Sequence, residues 1–392
     1  DMKKLSLALI TGGALCAFGV LLGGAALAMT SFEFSKVVTT MKYENKTAAY
    51  EPSLLAGIEI AAEDLKVVVS PSPDEQVHLS YWESALDATT IEVDGGMLRF
   101  RHTVSDSWLD NFIHGFWSSF ARYRHVIEIK IPASFAGSLS VTNENAALEA
   151  SGLTALSSAA FRSKNGALEL TDILCLGGLT AETTNAPLSL DRVRGGTARI
   201  TNANARIRVS DTQLLDTVLQ TDNGSVLLHN LTVRSLTAKN KNASLEAEAL
   251  AAVGRVELET TNASLTAIDV QSAGDLSLRS KNGSVRATNC SASAFFAGTT
   301  NAKVDLARCK AAQVQAETSN GSVEIDRLDS RDITLISSNG GIRGSVLGQE
   351  ADYVIAALTT NGSNNLTDRV GDLPGRLTVR TTNASIHVTF TE

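Results

Sequence analysis

Beyond about residue 136, apolar residues recur in three columns set against a repeating asparagine. It stands at Asn145, Asn165, Asn185, Asn204, Asn223, Asn242, Asn262, Asn282, Asn301, Asn320, Asn339, Asn361 and Asn383, in steps of 19 to 22 residues. Six residues before it lie apolar side chains such as Leu179, Val256 and Ile333. Three after it come Leu148, Leu188 and Val304, and eight after it Ile173, Leu250 and Leu347. Apolar and polar positions alternate into the asparagine and out again, which is the period of a strand on either side of a corner. Thirteen copies at nearly constant spacing indicate stacked coils. The pattern therefore predicts an all-β chain: a single-chain β-solenoid, or β-helix, of coils of about 19–20 residues over 136–392. With coils about 4.8 Å apart it forms a rod on the order of 60 Å long. A leucine-rich repeat has a similar asparagine period but needs leucine three and five residues before it. Here those places hold mostly Thr, Arg, Glu, Lys or Gln, which excludes it.

The corner gives the asparagine two expected tasks. Asn tolerates the left-handed backbone region, and stacked asparagine amides can hydrogen-bond from coil to coil and so satisfy buried polar groups. A second polar column, seven residues later, holds Asp172, Asp211, Asn230, Asp269, Asn289 and Asp368 and reads as the next corner. Cys290 and Cys309 fall eight after the asparagine in adjacent coils. They are expected as stacked interior neighbours, either as buried thiols or as an inter-coil disulfide.

Upstream, short period-2 runs such as Gly57 to Ile60, Leu65 to Val69, Val77 to Tyr81 and Val126 to Ile131 predict a β-rich N-terminal cap over 55–135. One insert, 106–124, breaks the alternation. Its Trp108, Phe112, Phe116, Trp117 and Phe120 form a helical stripe, read as a helix covering the first coil or as a membrane- or partner-docking helix. Residues 31–54 read as a juxtamembrane linker. Before them, Lys3 and Lys4 precede an uncharged run from Leu5 to Met29, roughly 37 Å long as a helix and so able to span a bilayer. Residues 1–30 are expected to be a signal-anchor helix, with the N-terminus cytoplasmic and the bulk of the chain extracytoplasmic. The alternative is a signal peptide cleaved after Ala26-Leu27-Ala28. Gly12, Gly19 and Gly23 line a small-residue stripe suited to helix pairing.

Composition narrows the function. Aromatics make up 5% of the chain, which suits narrow coils rather than a bulky globular core. A net charge of -8 offers no basic face for nucleic acid. No Cys/His cluster, Ser-His-Asp set, phosphate loop or run of outward acids stands out, so no cofactor, metal or catalytic residue is expected and the chain is read as a non-enzyme. The many N-x-S/T triplets follow from the repeat itself.

The repeated T-x-N-G/A-x-[LVI] unit, as in Thr260-Thr261-Asn262-Ala263-Ser264-Leu265, resembles that of the bacterial putative-adhesin family of unknown function over roughly 55–392. The resemblance implies an extracytoplasmic β-solenoid behind a membrane segment and carries no catalytic residues. The expected role is a membrane-anchored scaffold or accessory subunit of a bacterial cell-envelope complex, with a membrane-protein partner or a second copy of itself. The alternatives are a surface adhesin and, behind it, a polysaccharide-active β-helix enzyme. Because the sequence stops soon after the strand Ile386 to Phe390, an open, uncapped last coil is also expected.

Overall fold

The computed structural model describes residues 18, 19, 21, 24, 25, 44–83, 87–104 and 126–392. It shows an all-β solenoid of parallel coils. Each coil has three sides. The first runs into the repeat asparagine, the second leaves it, and the third follows a bend seven residues on. In two adjacent coils the three sides form one continuous strand each, Ile207–Thr221 and Val226–Asn240. These pair in parallel with Ile207 opposite Val226 and Thr221 opposite Asn240.

The interior follows the sequence columns. The apolar residues three after the asparagine, from Leu148 to Ile386, are all buried. Ala181, Ala247, Ala267 and Ala287 fill neighbouring inward places. Such a narrow core takes small side chains, which is why the chain needs so few aromatics. Leu347 departs from its column and is 37% exposed. The register shifts between Ile325 and Leu328, so Val346 lies opposite Leu328 and takes the interior place.

Both ends of the stack depart from sequence order. At the N-terminal end, β1 (Glu44–Tyr50), β2 (Gly57–Ala62), β3 (Lys66–Pro71), β4 (Val77–Glu83), β5 (Asp87–Asp94), β6 (Met97–Val104), β7 (Val126–Ile131), β8 (Ser138–Asn143) and β9 (Leu148–Ser151) follow one another. β2 pairs in parallel with β6 on one edge and β8 on the other, and β3 with β7 and β9. The coil formed by β2 and β3 is thus inserted between two later ones. Antiparallel strands close the end: β5 on β6, β4 on β7 and β1 on β4. Two expectations change. The N-terminal region supplies coils in register with the array as well as a cover. The segment expected to be a linker contains β1, recruited by β4 because Glu44 to Tyr50 can pair along its free edge.

At the other end, Asp332–Ser337 pairs with Gly375–Arg380, which in turn pairs with Tyr353–Leu358. The coil of 375–391 is therefore inserted beneath that of 353–366. This corrects the expected open end. Asn365 brackets Val388 on the outer edge of Ile386–Thr391, donating to its carbonyl at 2.7 Å and accepting from its N–H at 2.9 Å. Arg369 crosses the outer edge of Tyr353–Leu358, exchanging backbone hydrogen bonds with Ile355 at 2.9 and 3.0 Å. Asp368 is no bend residue. It accepts the Ala357 N–H at 2.8 Å in the same crossing.

Candidate binding surface

The repeat asparagines form one unbroken side-chain ladder. Each Nδ2 donates to the Oδ1 of the asparagine in the preceding layer at 2.7 to 2.8 Å, through Asn165, Asn185, Asn204, Asn223, Asn242, Asn262, Asn282, Asn301, Asn320 and Asn339. At the N-terminal end Asn145 donates to the Asp64 carboxylate at 2.7 Å. A negative charge therefore sits where the aligned N–H dipoles point, as at a helix N-terminus.

Two parts of the expected corner chemistry are corrected. The ladder asparagines are exposed, so they satisfy no buried groups. That task falls to the residue two before each. Asn202, buried, donates to Thr183 Oγ1 at 2.6 Å and to the Ala186 carbonyl at 2.8 Å, and accepts from the N–H groups of Asn204 and Ala205. Thr260, Ser280 and Thr318 donate to the same carbonyl position of the layer before. The asparagines also lack left-handed backbone. That conformation lies seven residues on, at Asp172, Arg192, Asp211, Asn230, Ala249, Asp269, Asn289, Arg308 and Arg327, with φ between 46 and 55°. Neither column is built to receive a ligand: one bonds to itself and the other turns the chain.

The remaining sequence candidates lie mostly outside the described residues. These are Gly12, Gly23, Trp108, Phe112, Phe116, Trp117 and Phe120. Gly19 is described and is helical and exposed, as are Phe18 and Leu21. Among the described residues no helix is long and apolar enough to cross a membrane. Nor does any group of three or more His, Cys, Asp or Glu there lie where it could hold a metal. Cys175, Cys290 and Cys309 are buried free thiols.

The structure brings forward a site that the repeat analysis missed. Between residues 138 and 347 the only aromatics are Phe161, Phe295 and Phe296. The first two are interior. Phe296 points outward from the first side and is half-buried. Its ring lies over Gly298, where a Cβ would fall 2.7 Å from a ring carbon. Arg279, one coil earlier, stacks its guanidinium 3.8 Å from the ring centroid and donates from Nε to Ser277 Oγ at 3.2 Å. The neighbouring acids are engaged elsewhere: Glu259 with Lys239, Glu317 with Gln315 and Asp332 with Gln313. The terminal nitrogens of Arg279 have no partner among the described residues.

The pair stands between two hollows, of about 370 and 300 Å³. Arg255, Asp275, Gln313 and Asp332 line the first with it, and Glu259, Lys281 and Glu317 the second. Small side chains make the space. Gly298 has no side chain and Ser277 is almost covered, while long side chains stand around them. The signal was in the sequence: a second phenylalanine, directly after the inward Phe295, at a place where other coils carry Thr, Ser, Glu, Gln, Ala, Arg or Val and none carries an aromatic.

The model of the Toastrack DUF4097 family matches residues 56–268, more than half of the chain. The chain belongs to the Toastrack DUF4097 family. The matched span of this family stops short of Arg279 and Phe296. No curated protein matches the chain. Among solved structures, a putative cell adhesion protein from Clostridium sporogenes is 11% identical, with 72% of this chain and 99% of that one covered and a TM-score of 0.19. A putative adhesin from Bacteroides fragilis is 12% identical, with 88% and 97% covered and a TM-score of 0.18. At these scores neither carries an argument, and the family assignment rests on the family model alone.

Proposed function

We propose that this Toastrack DUF4097 protein is an extracytoplasmic interaction module, held at the bacterial cell envelope by its N-terminal segment and binding through the sides of a rigid solenoid. The observation that carries this reading is the closure of both ends. β1, β4 and β5 cover one, and the crossing at Arg369 covers the other. The outermost coil edges are paired with antiparallel strands at one end and crossed at Arg369 at the other, which favours the lateral faces as the surface for a partner. The apolar run Leu5 to Met29 and the Trp/Phe insert support a membrane location and a membrane-protein partner for an accessory or scaffold subunit.

The test is purification of the full chain from membranes in mild detergent, beside a variant lacking Ser105 to Arg124 and one carrying Gly19→Leu and Gly23→Leu. A stoichiometric membrane protein that is lost from either variant supports the subunit role. Unchanged recovery of that protein, or none with the full chain, refutes it. A second reading, an adhesin for an extracellular ligand, is favoured by the groove at Phe296, the only outward aromatic on these coils.

A further inference from the structure

We propose that the groove around Phe296 and Arg279 binds a neutral oligosaccharide; this rests on the adhesin reading and gives its ligand a chemical class. Three features of the groove select that class.

Phe296 is half-buried with Arg279 stacked on one face, so the apolar patch it offers a sugar is the part of the ring that the guanidinium does not cover. Burying it there repays its exposure in the free protein. Arg279 also fixes the ring, so little side-chain freedom is lost on binding.

The polar groups around the ring are of both hydrogen-bonding senses. The unpaired guanidinium nitrogens of Arg279 and the ammonium of Lys281 donate. The carboxylates of Asp275, Glu259, Glu317 and Asp332 accept. A hydroxyl both donates and accepts, so a ligand rich in hydroxyls can use the whole set.

Charge decides against the other polymers. Three cations, Arg255, Arg279 and Lys281, stand among four carboxylates. A nucleic acid or an acidic chain would meet carboxylates on every side, and a basic chain would meet the cations. A ligand without charge meets neither penalty. The two hollows lie on either side of one ring and extend across successive coils, about 4.8 Å apart. Because the hollows are offset along the strands, one beside Asp275 and Ser277 and the other beside Ser280 and Lys281, this suits a linear chain of several sugars laid across the rod, parallel to the strands, better than a single compact molecule.

The experiment titrates the full chain, purified in mild detergent, with hexasaccharides of β-linked glucose, mannose and N-acetylglucosamine. Hexagalacturonate and a polyglutamate peptide serve as charged counterparts. At least one neutral hexasaccharide is expected to bind. Phe296→Ala and Arg279→Gln are each expected to weaken it about tenfold or more, and Phe296→Tyr to stay within about threefold. Gly298→Leu, which fills the floor and displaces the ring, is expected to abolish it. Arg279→Gln keeps the Phe296 side chain itself, so it keeps the comparison valid if Phe296→Ala lowers the melting temperature.

The proposal is overturned if no neutral hexasaccharide binds at millimolar concentration, if Phe296→Ala and Arg279→Gln bind as well as the parent, or if hexagalacturonate or polyglutamate is the preferred ligand. Recovery of the membrane partner by Phe296→Ala is a separate reading. It stays unchanged if only the glycan assignment fails, and it is absent in the parent if the subunit role fails.

Discussion

Asn383 donates its side-chain amide to Asn339 at 2.7 Å and accepts from Asn361 at 2.8 Å. The last two repeats are therefore stacked in the reverse of their sequence order. Paired cysteines read this directly. Asn339→Cys with Asn383→Cys is expected to form a disulfide under mild oxidation, because the two positions are neighbours across one layer. Asn339→Cys with Asn361→Cys is expected to stay reduced, being two layers apart. Peptide mapping distinguishes them, and closure of the second pair alone would restore sequence-order stacking.

The most repeated residue is not the one that holds the corner most firmly. Replacing the buried Asn202 by Ala strands the N–H of Ala205, while that of Asn204 keeps the Thr184 carbonyl, with an expected loss of about 1–3 kcal/mol in chemical denaturation. Asn204→Ala, on the exposed ladder, is expected to lose about 0.5–1 kcal/mol. Equal losses would mean that the ladder carries more of the corner than its exposure allows.

Two substitutions between glycine and alanine should have opposite signs. A Cβ at Gly224 would stand 1.6 Å from the Ala205 carbonyl oxygen, so Gly224→Ala is expected to destabilise by about 1–3 kcal/mol as the layers are forced apart. Ala249 sits at φ 54°, where a side chain costs about 1–2 kcal/mol. Ala249→Gly relieves this, less the added entropy of the unfolded chain, for a net gain of about 0.5–1 kcal/mol. Melting temperatures of the two variants, one below and one above the parent, check both.

Asp216 supplies a pH signature. It accepts from the Arg234 guanidinium and from the Ser235 hydroxyl, bonds that hold its carboxyl at about 2 against an ordinary 3.8. The folded chain thus binds this proton less readily than the unfolded chain. The contribution is complete above pH 3.8 and fades as pH falls through about 2. Asp216→Asn is expected to be less stable than the parent at pH 7, with the gap between their denaturation midpoints closing towards pH 2. A constant gap would show that the carboxylate charge contributes nothing.

Much of this architecture was legible because a coil repeats its chemistry at a fixed step. Leu148 to Ile386 could be assigned to the interior from spacing alone. Stacking order could not, since identical corners fit in either sequence. The only trace is the longer step to Asn361 and Asn383, 22 residues each, which allows the connections to pass a layer. The division of labour within T-x-N was hidden for a similar reason. Thr260 and Asn262 are both polar, and only the direction of the strand tells which of them is inside. β1 was missed because Glu44 to Tyr50 has an exposed, polar face and gains its partner from β4, far along the chain. Phe296 was overlooked because attention to the repeat averages away a single outward exception.

The inserted coils also set an order of assembly. During synthesis β2 and β3 emerge first, yet each has both neighbours only after β6 to β9 have followed. Tyr353–Leu358 must leave a space that Gly375–Arg380 later fills. Neither end can therefore grow by adding one layer after another onto a finished stack. The middle coils, whose neighbours are consecutive, can form without waiting for later strands, whereas each end is complete only when its last strand has paired.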